Sequence, residues 1–123
     1  MNDLELVNSQ IQKVSEIAFQ YMTAKEVAWQ KAETLAAFRE SGRQTFLALF
    51  HSLDGERRRI DQDIGEISPH FSEIAEIRQR NGDFKWNGLR IFTFNDGRFE
   101  TEFISDPNFE DDVIDRTWDE IDI

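Results

Sequence analysis

The chain predicts a small α+β fold, because two different hydrophobic periods occupy separate stretches of its 123 residues. From Leu4 to Met22 the apolar residues return every three or four positions, which is helical spacing. From Trp86 to Asp106, in WNGLRIFTFNDGRFETEFISD, they alternate, which is strand spacing. Between them, Ser68-Pro69 ahead of Phe71, Ile74 and Ala75 marks a second helix.

The first element places Leu4, Val7, Ile11, Val14, Ala18 and Tyr21 in one stripe, with Gln, Lys, Glu and Ser between them. One such stripe suits a helix packed on its own domain, and a short coiled coil is the alternative. Residues 24–38 are ambiguous. Ala24, Ala28 and Ala32 with Val27 and Leu35 favour a helix by propensity, while Trp29 and its flanks also allow a strand. A turn over Glu40–Arg43 precedes Thr45–Phe50, whose two apolar faces (Leu47 and Leu49; Phe46, Ala48 and Phe50) predict a central strand. Asp54-Gly55 is a hairpin turn into the polar, edge-like run ERRRID.

Ser68 is expected to cap the second helix, with Pro69 at its first helical position and Asn81-Gly82 ending it. In the hairpin that follows, a two-residue Asp96-Gly97 loop would pair Phe94 with Phe99. It would also gather Phe92, Phe94, Phe99 and Phe103 on a common core face. At the end of the chain Val113, Ile114, Thr117, Trp118 and Ile121 recur at helical spacing, with Asp111, Asp112, Asp115, Asp119 and Asp122 largely opposite them. No repeat or linker divides residues 1–123, so one domain is expected.

A 39% apolar content with eleven Phe and three Trp separates this chain from disordered acidic sequences. Without cysteine there are no disulfides or thiolate metal sites. The N-terminal MNDLELVNSQ has acids where a signal peptide has lysine or arginine, and FLALF is too short to span a bilayer, so a cytoplasmic location is expected. The net charge is −11, and from Glu102 to Ile123 nine carboxylates against Arg116 account for −8 of it. Such a field disfavours nucleic acid and anionic lipid, and attracts a cationic protein.

Catalytic chemistry has little to build on. There is no Cys or G-x-S-x-G, and the glycines form no phosphate loop. His51 and His70 lack metal-ligand spacing, and capping or surface roles suit both. An EF-hand starting at Asp106 would need Gly at its sixth position and Glu at its twelfth, where Asp111 and Thr117 stand. The three arginines of ERRRID are expected in cross-strand ion pairs. No cofactor is called for.

Trp86, Leu89 and Ile91, in the pattern W-x-x-L-x-I, are followed by Gly97-Arg98-Phe99, Phe103 and the acidic Asp115-Arg116-Thr-Trp118. This order resembles the YezG-like family of bacterial immunity proteins. The resemblance covers most of the chain in the order of its elements, and Trp86 to Trp118 in residues. It implies an antiparallel sheet of about four strands packed against the N-terminal helix and the central helix, with the acidic C-terminal segment docked on it. It also implies a strand within residues 24–38. The implied function is stoichiometric neutralisation of a cognate secreted toxin, generally a nuclease, by a monomeric protein without catalysis. Glu100, Glu102, Asp106, Glu110, Asp111, Asp112, Asp115 and Asp119 are then the candidate toxin contacts. The rival reading is a metal-binding domain using the C-terminal carboxylates, or an adaptor or oligomerisation domain using the N-terminal stripe.

Overall fold

In the computed structural model, residues 2–25, 28–40, 44–61 and 63–119 are described, with side chains up to Arg116. The order is α1 (Asp3–Ala24), β1 (Trp29–Phe38), β2 (Gln44–Ser52), β3 (Arg57–Arg59), α2 (Ile67–Arg80), β4 (Gly88–Phe94), β5 (Phe99–Ile104) and α3 (Phe109–Asp119). The five strands form one antiparallel sheet in the order β3-β2-β1-β4-β5. Helices α1 and α2 pack together on one face, and α3 lies against β1 and β2 on the other.

Helix α1 opens with a reciprocal cap: the Asn2 side chain accepts from the Glu5 N–H at 2.8 Å and donates to the Glu5 carboxylate at 3.0 Å. Val7, Ile11, Val14, Ala18 and Met22 are all buried within this protein, so most of the stripe that allowed a coiled coil is used internally, while Leu4 stays exposed. Asp3 accepts from Arg80 and Asn81 at 3.0 and 3.1 Å, tying the start of α1 to the end of α2. In α2, Phe71, Ile74, Ala75 and Ile77 are buried, each large side chain contributing roughly 1.5–3 kcal/mol by leaving water. Its start departs from expectation. The helix begins at Ile67, led in by turn bonds from Ile64 N–H to Ile60 C=O and from Ser68 N–H to Gly65 C=O, and no side chain caps it. Ser68 lies inside the first turn, where Pro69 lacks only an N–H that needs no helical partner.

The segment that propensity leaned toward helix is β1, the middle strand of the sheet. Both its faces are covered, seven consecutive residues from Ala32 to Phe38 are buried, and the alternation that identifies a strand is lost. Ala32 and Ala36 face α1 and α2, while Leu35 and Ala37 join Leu47, Leu49, Phe109 and Val113 on the opposite side. Small side chains here admit close packing, and that tertiary gain overrides helical propensity.

The β4-β5 hairpin also differs. Phe94 N–H donates to Arg98 C=O at 2.8 Å and Thr93 is level with Phe99, so the loop is Asn95-Asp96-Gly97, with Gly97 at φ +89°. A three-residue loop ending in a left-handed glycine is a standard hairpin closure, and it moves the register by one relative to a two-residue loop. One residue of slip turns every side chain over. The phenylalanines therefore do not share a face: Phe99 and Phe103 lie level with buried Thr93 and Leu89 on the side of α1 and α2, while Phe92 and Phe94 are on the side of α3. Gly55, at φ +92°, closes the β2-β3 hairpin the same way. That hairpin brings Arg57–Arg59 onto β2 as the fifth strand, one more than expected.

Candidate functional site

The side of the sheet bearing α3 collects most of the carboxylates singled out in the sequence. Glu100 and Glu102 stand on β5 and are exposed, as are Asp111, Asp112 and Asp115 on α3. Between the two elements runs a groove of about 250 Å³ that brings Glu102, Asp106 and Asp112 together beside Arg90 and Arg116. The Asp119 side chain and residues 120–123 lie outside the described residues, as do the Trp118 side chain and residues 41–43 of the expected turn.

Three of these acids have internal partners. Glu110 accepts from the Arg39 guanidinium, tying the first turn of α3 to the end of β1. Asp106 starts α3: its carboxylate accepts from Asn108 N–H at 2.9 Å, its C=O accepts from Phe109 N–H at 3.0 Å, and the Asn87 side chain bonds both its N–H and C=O. Glu102 pairs with Arg90 at 3.0 Å. Glu100, Asp111, Asp112 and Asp115 carry no ion pair among the described residues. Of these, Asp111 and Asp112, with Glu110, sit in the first turn of α3, where the helix dipole favours negative charge.

Beneath this surface is a cluster of which the sequence shows little sign. Glu33, on β1, is only 6% exposed. Its carboxylate takes both Arg116 terminal nitrogens at 3.1 and 3.2 Å, Arg90 Nε at 3.3 Å and His51 Nε2 at 3.3 Å. Burial raises the Glu33 carboxyl, but hydrogen bonds from His51 and Arg116, then the charges of Arg116 and His51, more than offset it and hold it at about 2. Arg116 thereby fastens α3 to the sheet, and Arg90 links Glu33 to Glu102. His51 is thus a partner of a buried acid and not a cap. The detectable signal was one glutamate in the otherwise uncharged run from Ala32 to Phe38.

Close packing completes the joint. Phe109 and Val113, one turn apart on α3, are buried on Leu35, Ala37, Leu47 and Leu49. A Cβ on Gly88 would lie 2.5 Å from the Phe109 ring, so the approach depends on glycine there.

Other charged groups are engaged away from this cluster. Arg59 pairs with Asp61 two residues on, at 2.7 Å, and not across the hairpin, while Arg58 lies over the Phe50 ring. His70 Nδ1 bonds the Gln10 side chain at 2.7 Å, and burial, then the Lys13 charge, push its pKa down. Among the described residues, no three His, Asp or Glu side chains are grouped to hold a metal ion. None of the described helices is long and apolar enough to cross a membrane. No protein-family model matches the chain, and no curated protein matches it. What the arrangement offers chemically is an acidic surface held in place by ion pairs to the buried Glu33.

Proposed function

We propose that this chain is an immunity-type protein that binds and neutralises a cognate secreted toxin, a basic nuclease domain, by stoichiometric protein–protein contact. The observation that carries the reading is a cluster of exposed acids on one surface. Glu100, Asp111, Asp112 and Asp115 are exposed on the α3 side of the sheet, in a chain of net charge −11. A nuclease must hold a polyanion and so presents a basic cleft, which such a surface complements and steers toward itself. The resemblance carried by Trp86, Leu89, Ile91, Gly97, Arg98 and Phe99 supports the same reading.

In this reading the acidic segment from Asp106 onward is docked on the sheet through Phe109, Val113 and the Arg116–Glu33 pair, so its carboxylates meet the partner in a fixed arrangement. Glu102, Asp106 and Glu110, engaged internally, help to shape the surface, and the unpaired acids supply most of the attraction. Expression of the toxin domain encoded beside this protein, with and without it, tests the proposal. Restored growth is expected; arrested growth despite equal expression of both proteins refutes it.

A further inference from the structure

The two edges of the sheet are not alike. At one end β3 is three residues long and all arginine, and short, charged edges resist pairing with another chain. At the other end β5 runs for six residues, FETEFI, without proline, glycine, lysine or arginine. Phe94 N–H bonds Arg98 C=O, and residues that exchange bonds with a neighbouring strand alternate along an antiparallel ladder. Glu100 and Glu102 therefore turn their backbone groups to β4. Phe99, Thr101 and Phe103 turn theirs outward, and among the described residues no strand covers them.

The side chains along this edge are arranged in two rows. Phe99 and Phe103, on the side of α1 and α2, remain 40% and 39% exposed. Beside Phe99 a groove of about 220 Å³ opens toward Ser15, Glu16 and Phe19 of α1. Glu100 and Glu102, on the other side, are exposed. An incoming strand would thus meet aromatic rings on one face and carboxylates on the other, which suits alternating apolar and cationic side chains. A second copy of this chain suits it poorly. Antiparallel pairing about Thr101 would set Glu100 of one copy opposite Glu102 of the other, between two molecules of charge −11.

We propose that the free edge of β5 is a strand-addition site that takes an extended, lysine- or arginine-bearing segment of the partner protein. The identity of that partner as a toxin rests on the function proposed above; the edge chemistry does not. The probe is a synthetic peptide of alternating Lys and Val, added to the full-length protein and followed by amide NMR and hydrogen exchange. Exchange at Phe99, Thr101 and Phe103 is expected to slow about tenfold or more, because these amides gain partners. Thr101→Pro, which removes an outward N–H from an edge strand, should leave the circular dichroism unchanged and weaken binding about tenfold. If that variant does not fold, the peptide N-methylated at alternate residues serves instead, and it should not bind in the register whose amides face β5.

Undiminished binding by Thr101→Pro or by both N-methylated registers, or exchange protection confined to other elements, overturns the proposal. So does a sedimenting dimer that Thr101→Pro converts to monomer, since the occupant is then a second copy. With the toxin domain, rescue by the wild type but not by folded Thr101→Pro supports the edge site. Full rescue by that variant overturns the edge site and leaves the immunity function standing. Peptide protection at the three amides without toxin rescue supports the edge site and overturns the immunity function.

Discussion

Replacing Glu33 by Gln removes the one negative charge that Arg116, Arg90 and His51 share beneath α3. A carboxyl lowered from 4.5 to about 2 on folding is worth roughly 3 kcal/mol at full strength. Both arginine side chains keep 30% exposure, so solvent screens part of this, and a loss of about 2 kcal/mol at neutral pH is expected. The sign follows from linkage. With its pKa depressed in the folded state, Glu33 contributes fully above the unfolded value of 4.5, and the contribution is lost as pH falls toward about 2. Urea denaturation of wild type and Glu33→Gln, from neutral pH down to about pH 3, measures it. The stability gap should stay constant down to about pH 5, then narrow by about 1 kcal/mol per pH unit. Parallel profiles over the whole range would show that the ionised carboxylate contributes nothing, and the account of how α3 is held would fail.

Other substitutions test the joint and the core. Gly88→Ala drives a methyl into the Phe109 ring and should destabilise by about 1–3 kcal/mol in thermal or urea unfolding, with Phe109→Leu in the same chain recovering part of the loss. The Thr34 hydroxyl is buried without a hydrogen-bond partner among the described residues, so Thr34→Val should be neutral or stabilise by about 1 kcal/mol; a loss above that would reveal a partner for the hydroxyl.

How far the sequence foretold this molecule depended on how one-sided each element is. Helix α1 was legible because one face meets the core and the other meets water, leaving Val7, Ile11, Val14 and Ala18 at regular spacing. Strand β1 was not, because it is covered on both faces and is rich in alanine, so neither period nor propensity marks it. The hairpin around Asp96-Gly97 was foreseeable, but its register turns on whether Asn95 belongs to the strand or the loop. That single choice reversed the faces of Phe92 and Phe94 relative to Phe99 and Phe103. The acidic surface was visible as charge. The cluster under it was not, since Glu33, His51, Arg90 and Arg116 come from four elements and meet only through the topology of the sheet.

In the function proposed above, exposed acids on α3 and β5 draw in a basic partner. The stopped-flow association rate of this protein with the toxin domain it is proposed to neutralise, across ionic strength, tests this for wild type and for Asp111→Lys/Asp112→Lys/Asp115→Lys. All three positions are exposed, so the variant should keep its fold. The wild-type rate should fall steeply with added salt, and at low salt the variant should associate at least about tenfold more slowly, with little salt dependence left. A rate unaffected by both the salt and the reversal would contradict the claim.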